Sequence, residues 1–201
     1  MIYSVVTQVH LPAEVAGPDP MDFDVRCFLV PHATGLTVVD TGVEQSVPLI
    51  AENLAEIGAE WSDVTDVILT HHHPDHTGGL TEVIARAPAA NLWGGAEDTF
   101  PVEVTVAEDG ATIRGLQVIA TPGHTAGHLS LLATDDDVLL IGDLAGSQNG
   151  RLIRAPETFT ADPAEAERSL RKASMLDFAR LYPSHGAPSD RQALQHLLGD
   201  R

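Results

Sequence analysis

Ten consecutive residues, Thr70-His71-His72-His73-Pro74-Asp75-His76-Thr77-Gly78-Gly79, constrain this chain more than any other stretch. Imidazoles at positions 71, 73 and 76 and the carboxylate of Asp75 fall within six residues. Neutral imidazole and ionised carboxylate are good ligands for zinc and similar divalent ions, and crowding them together does not by itself help a loop to fold. A histidine tag would sit at a terminus, whereas this run follows the apolar segment Val67-Ile68-Leu69, which reads as a buried strand. Spacing divides the groups. Residues 71 and 73 are two apart, so on an extended strand end their side chains leave one face and can grip one ion together. Asp75 and His76 follow the bend at Pro74 and can point at a second ion. His72 has the opposite parity and is expected to face away, as packing or as support for a ligand.

The order His-x-His-x-Asp-His after a strand resembles the signature of the metallo-β-lactamase fold superfamily. Three later segments extend the resemblance in the family's order: Thr121-Pro122-Gly123-His124-Thr125, Ile141-Gly142-Asp143 and Pro183-Ser184-His185-Gly186. It implies an α/β fold, a four-layer αβ/βα sandwich with the metals at one edge between the sheets. Carried over residue by residue, it implies that His71, His73 and His124 bind one metal. Asp75, His76 and His185 would bind another, with Asp143 bridging the two. The implied cofactor is two divalent metal ions, zinc first, with iron or manganese as alternatives. Taken alone, His124 reads equally well as a capping or core histidine and Asp143 better as a turn carboxylate. Only the complete set assigns them.

The chain in order is consistent with that architecture. Residues 3 to 9, 25 to 30 and 36 to 39 read as strands between turn signals. Val39-Asp40-Thr41-Gly42 resembles the family's strand-end Asp-x-Gly, so Asp40 is either a carboxylate that orients a ligand loop or one that makes local turn hydrogen bonds. Val47, Ile50, Leu54 and Ile57 mark a helix that Gly58 ends, residues 66 to 70 a strand, and Leu80, Val83, Ile84 and Ala87 a helix stopped by Pro88. Candidate strands follow at 90 to 93, 102 to 106, 112 to 120, 128 to 133 and 137 to 141. Ala145 to Thr160 reads as a loop that shapes a substrate pocket. Asp162-Pro163-Ala164-Glu165 combines an N-cap, a proline at N1 and a capping-box Glu, and opens a helix with Ala166, Leu170 and Ala173 inward. A short helix from Ser189 to Leu198 ends the chain. No linker interrupts it, so one domain over residues 1–201 is expected.

Composition narrows the partners. With 43% hydrophobic residues, 201 residues can bury a full core. The formal net charge is −18, and Lys172 is the only lysine. Such a surface repels phosphate backbones and anionic lipid, which disfavours nucleic acid and membrane partners and leaves a small-molecule substrate. Sequence does not address the oligomeric state. Cys27, the single cysteine, sits in the apolar run Cys27-Phe28-Leu29-Val30 and reads as a packing thiol. No basic n-region opens the chain and no segment reaches the ~18 apolar residues of a bilayer span, so a cytoplasmic location is the expectation.

Two adjacent dications lower the pKa of bound water from ~16 to about 7, so such a site carries its own nucleophile, and Asp75 is placed to orient or shuttle a proton as the catalytic carboxylate. The expectation is therefore a metal-dependent hydrolase of a small ester, thioester or lactone. A bridging aspartate is nearer to glyoxalase II-like thioesterases and acyl-homoserine lactonases than to true β-lactamases, which makes a β-lactamase-like amide hydrolase the weaker variant. The loop after Asp143 lacks the tyrosine of a lactonase, since Tyr3 and Tyr182 are the only tyrosines, and the 201 residues hold no counterpart of the helical glutathione-contacting domain of full-length glyoxalase II. The second reading is a mononuclear iron persulfide dioxygenase of the same fold, using His71, His124 and Asp143. A purely structural metal site is disfavoured, because such sites are usually closed by four ligands and seven are present. His10, His32 and His196 read as solvated or packing residues, and His128 as these or as support for a ligand.

Overall fold

The computed structural model describes residues 1–15 and 17–199; Ala16, Asp200 and Arg201, which the single-domain expectation includes, lie outside the described residues. The first half of the chain runs β1 (Tyr3–Leu11), β2 (Met21–His32), β3 (Gly35–Val39), α1 (Ser46–Glu56), β4 (Val64–Ile68), α2 (Pro74–Thr77), α3 (Leu80–Arg86), β5 (Asn91–Gly94) and β6 (Thr105–Val106). These strands form one six-stranded sheet in the order β1-β2-β3-β4-β5-β6, antiparallel as far as β3 and parallel beyond it. The second half runs β7 (Thr112–Ile113), β8 (Leu116–Ala120), β9 (Leu129–Ala133), β10 (Val138–Gly142), β11 (Ala145–Gln148), β12 (Arg151–Arg154), α4 (Pro163–Ser174), β13 (Arg180–Pro183), β14 (Ser189–Asp190) and α5 (Arg191–Leu198). A second six-stranded sheet has the order β14-β13-β10-β9-β8-β7, with β11 and β12 paired apart from it.

Alternation along the strands sorts side chains into three apolar layers. In β2, Cys27 and Leu29 pack with Val47, Ile50 and Leu54 of α1 and with Leu80 and Val83 of α3. Their neighbours Phe28 and Val30 turn the other way, onto Val118, Leu129, Leu131 and Leu140 of the second sheet. On the far face of that sheet, Leu139, Ile141 and Leu181 meet Leu170 and Ala173 of α4 and Leu194 of α5. The result is helix, sheet, sheet, helix. Both faces of the central strands are covered, so Val138 to Ile141 is an unbroken apolar run in which every residue is buried. Cys27 is fully buried, and burial pushes its thiol pKa up, which fits the packing role.

Several segments differ from the sequence reading, among them the start of the last helix, where Ser189–Asp190 is the strand β14 and the helix begins at Arg191. Residues 145 to 154 form the hairpin β11–β12, not a loop, because Asn149 and Gly150 adopt φ of 53° and 74°, the two left-handed residues that a tight hairpin turn requires. The expected strand 112 to 120 is broken in the same way at Arg114 and Gly115, φ 50° and 86°, into the hairpin β7–β8. The strand β13, parallel to β10, carries no periodic signal in the sequence, since only two of its four residues are buried. The helix cap at Asp162 forms, its carboxylate accepting from the Glu165 amide at 2.9 Å, and Ala166, Leu170 and Ala173 are buried as expected. Glu165, however, pairs with Arg168. Among the described residues no helix is long and apolar enough to cross a membrane.

All the candidate ligands lie just beyond the C-terminal ends of strands β4, β8, β10 and β13, where edges of the two sheets meet. At mid-strand, Asp66, 1% exposed, ties β4 to β5 and to the β7–β8 turn: it accepts from Trp93 Nε1 at 2.9 Å, Asn91 Nδ2 at 3.2 Å, Thr65 Oγ1 at 2.7 Å and Arg114 Nε at 2.7 Å. Burial by itself raises its pKa, but these donors, Arg114 foremost, outweigh burial and hold the carboxyl below its usual range. A depressed folded pKa contributes stability above the unfolded value of ~3.9, and that stability is lost as pH falls through the folded value. Asp66→Ala should cost about 1–3 kcal/mol at neutral pH, because it leaves the part-buried Trp93 indole and the Arg114 guanidinium without their acceptor. In denaturant titrations the gap from wild type should narrow below about pH 4 as the carboxyl of the wild type is protonated, and a pH-independent gap would show that the charge is immaterial.

Candidate metal centre

His71 and His73 stand in the irregular segment after β4, and His124 in the loop between β8 and β9. His73 Nδ1 lies 3.1 Å from His71 Nε2 and 3.0 Å from His124 Nε2. The second group takes Asp75 and His76 from α2, Asp143 from the end of β10 and His185 from the end of β13. In each group one ligand atom per residue lies within 4.8 Å of all the others. Asp143 faces both. Its Oδ2 is 3.0 Å from His185 Nε2, 3.5 Å from His124 Nε2 and 4.0 Å from His71 Nε2, while its Oδ1 is 3.2 Å from His76 Nε2. Asp75 Oδ2 sits 3.4 Å from His185 Nε2 and 3.8 Å from His76 Nε2. All seven candidates therefore converge, with Asp143 between the two sets. His71 and His73 lie side by side, but strand parity is not the cause, since β4 ends at Ile68 and the backbone beyond it is not a regular strand.

Buried acceptors fix which ring nitrogens point inward. Asp40, fully buried and held at φ 57°, accepts from the Thr70 amide and the Thr70 hydroxyl, each at 2.7 Å, and from His76 Nδ1 at 2.8 Å. Thr70 Oγ1, its proton committed to Asp40, accepts from His71 Nδ1 at 3.0 Å. One carboxylate thus sets the tautomers of a ring in each group. His124 Nδ1 faces Thr160 Oγ1 at 3.4 Å and His185 Nδ1 donates to the Asp24 carbonyl at 2.6 Å. In four of the five rings the remote nitrogen is taken by protein and Nε2 converges. Such partners orient metal-binding histidines and raise their basicity.

The charge pattern suits cations. Burial lowers the pKa of His71 and His73 and takes His124 to about 4, so the first group is three neutral imidazoles. In the second group burial opposes charge on His76 and His185, but carboxylates outweigh it: Asp143 and Asp40 hold His76 well above its usual range, and Asp143 with Asp75 brings His185 to about 10. His76 Nε2 and Asp143 Oδ1 are both buried without a hydrogen-bond partner, and His76 has already given its Nδ1 proton to Asp40. Once His76 loses its Nε2 proton, that nitrogen and Asp143 Oδ1 present two facing lone pairs with no donor between them, an arrangement that suits a cation, and the donor set fits divalent ions.

Other residues support the site from behind. His128 is buried, accepts from the Asp143 amide at Nε2 (3.1 Å) and meets Thr121 at Nδ1; burial, then His124, takes its pKa to about 3. Gly142 permits this approach, since a Cβ there would lie 2.5 Å from His128 Nε2. Exposed His72 points away as expected, with Nδ1 3.1 Å from Asp98. His10 pairs with Asp22 at the surface, His32 lies 3.2 Å from the Thr65 hydroxyl, and His196 is in α5. Sequence reasoning missed Asp98 and Asp24. The Asp98 carboxylate joins the two histidine loops by accepting from the His72 amide (3.0 Å), the Thr125 hydroxyl (2.8 Å) and the Gly127 amide (2.8 Å). Its one trace in the sequence is Gly94-Gly95, where a Cβ on Gly95 would lie 1.8 Å from the Gly127 carbonyl. Asp24 carries no such signal; its carboxylate takes the Gly186 amide at 2.9 Å. Beside the first group opens a cavity of about 450 Å³, walled by Phe159, Thr158 and Thr160 from the segment expected to shape it.

Residues 21–185 match the model of the metallo-beta-lactamase superfamily. The chain belongs to that superfamily. It is 33% identical over 194 residues to a hydroxyacylglutathione hydrolase of Aeromonas hydrophila, covering 88% of this chain and 71% of that protein. A second relative of that name, from Ectopseudomonas mendocina, is 32% identical over 161 residues, 77% of this chain but 58% of its own length. Among solved structures, a metallo-beta-lactamase family protein from Thermus thermophilus superposes with a TM-score of 0.70 at 22% identity, over 97% of this chain and 78% of that one. Another, solved in a di-iron-bound form, gives 0.72 at 22% identity over 94% and 96%. At such identities the likeness is one of fold, and the fold is the metallo-beta-lactamase sandwich.

Two outcomes are expected if both groups bind metal. Asp40→Asn replaces an acceptor with a group that cannot receive every donor aimed at it, so metal affinity should fall 10- to 100-fold in chelator competition; unchanged affinity would remove Asp40 from the support of the site. Protons on His76 and His185 must leave before an ion enters, whereas the first group is already neutral. Acidification should therefore release one metal equivalent before the other. Elemental analysis after dialysis at falling pH checks this, and simultaneous release would contradict it.

Proposed function

We propose that the protein is a metal-dependent hydrolase of a small ester, thioester or lactone, with His71, His73 and His124 holding one divalent ion, Asp75, His76 and His185 a second, and Asp143 shared between them. The observation that carries this reading is the position of the Asp143 carboxylate, one oxygen toward His76 and the other toward His124 and His185. When bound, two such ions would acidify a coordinated water and polarise the scissile carbonyl.

The chain's own residues supply the rest. Asp75 is kept ionised, its pKa held below the usual range because contacts from His185 and His76 outweigh the effect of burial. Its carboxylate is therefore a proton acceptor at neutral pH, suited to receive a proton from the attacking water and return it to the leaving group. The cavity beside His73 and His124 receives the substrate, with Phe159 and Ala126 as apolar contacts and the Thr125, Thr158 and Thr160 hydroxyls as polar ones. The names of the relatives above support thioester hydrolysis, and zinc is the first candidate ion for this nitrogen- and oxygen-rich donor set.

The iron dioxygenase reading uses His71, His124 and Asp143 and leaves Asp75, His76 and His185 without a task. One experiment separates the two. Zinc- or manganese-loaded protein should cleave simple thioesters or lactones without dioxygen. His185→Ala should reduce bound metal from two to one per chain and lower turnover at least 100-fold, because the attacking water needs both ions. Turnover only with iron, consuming dioxygen in step with a thiol persulfide and with no ester cleaved, would overturn the hydrolase.

A further inference from the structure

The cavity beside the first group contains no lysine or arginine among the described residues. Its charged wall residues other than the histidines are Glu97 and Asp98. Glu97 is exposed on the cavity wall and forms no ion pair among the described residues. Asp98 is satisfied by three hydrogen bonds from the loops. His72, the wall histidine outside the proposed ligand set, stands 3.1 Å from Asp98. Arg154 on β12 and Arg168 on α4, which are not among the cavity's wall residues, are engaged with Glu167 and Glu165. The remaining wall is small or apolar, and the molecule as a whole carries −18. Recognition of a carboxylate ordinarily uses an arginine fork, a lysine or free backbone amides aimed at it, and in this cavity no basic side chain does so.

From this we infer that the site selects acyl substrates whose leaving group is uncharged, and discriminates against leaving groups that carry carboxylates. The inference rests on the hydrolase reading and deepens it, and it sets this chain apart from the substrate named for its relatives, since glutathione presents two free carboxylates. The negative charge of the outer wall, beyond the two ions proposed for the inner end, acts on both approach and residence: it slows the encounter of an anion, and a carboxylate left in the outer cavity gains no basic side chain for the water it gives up.

The test pairs two thioesters with the same acyl group, one on N-acetylcysteamine, which is neutral, and one on glutathione. At low ionic strength kcat/KM should be at least tenfold higher for the neutral thioester. Glu97→Lys, which changes a side chain outside the proposed ligands and proton carrier, should narrow that ratio by raising only the glutathione value, and added salt should narrow it too, because screening weakens repulsion between exposed charges. Calorimetric binding of the corresponding non-hydrolysable thioethers gives a readout independent of turnover, with the same preference expected. Equal or better binding and turnover of the glutathione compounds, unmoved by Glu97→Lys, overturns the inference and leaves the hydrolase standing. Failure to cleave any ester, thioester or lactone with any metal overturns the hydrolase, and the thioether titration still decides the charge preference.

Discussion

The buried carboxylate of Asp40 is the point on which the centre depends. A carboxylate removed from water is costly unless its lone pairs are filled, and here the Thr70 amide, the Thr70 hydroxyl and His76 fill them. That requirement forces the chain to pass within hydrogen-bonding distance of Asp40 twice after β4, once at Thr70 and again on α2. The same contacts leave Nε2 of His71 and of His76 facing inward. Stability and site geometry are thus one arrangement: the donors that make Asp40 tolerable are those that orient the rings. Its left-handed backbone, uncommon for a residue other than glycine, is held by this set.

The sandwich explains why the convergence is possible. Each sheet is apolar on both faces, one face meeting helices and the other the opposite sheet, so the strand ends cannot spread without exposing one of the three layers. Ligands from β4 and β13, on different sheets and more than a hundred residues apart, then meet within a few ångströms. Cross-loop contacts complete the alignment. Asp98 pins the His72 segment to Thr125 and Gly127, and Asp24 reaches from β2 to His185 and Gly186.

Charge divides the centre into unlike halves. Three imidazoles pushed toward neutrality adjoin two imidazoles drawn toward protonation by Asp143, Asp75 and Asp40. In the polypeptide the second half is balanced by protons, which a dication can displace. The outer cavity differs again, with Glu97 and Asp98 on its wall and, among the described residues, no lysine or arginine.

Much was legible in the sequence because the decisive patterns are local. The run from His71 to His76 and the helical and strand periodicities are set by spacing along the chain, and the resemblance extended them to His124, Asp143 and His185. The β11–β12 hairpin was legible as well, in Asn149-Gly150, but the polar composition of the segment hid it. Other features were decided by tertiary structure alone. Asp98 and Asp24 act on loops far away in sequence, His128 reaches Asp143 only because β9 and β10 pair, and β13 is too short for periodicity to mark. The sequence by itself determined which chemical groups the chain can offer a metal and the parity that places apolar residues in layers. Which nitrogen of each ring turns inward, and which carboxylates lie between the two groups, depended on folding, because a tautomer is set by its hydrogen-bond partner, and those partners become neighbours only when the sheets pack.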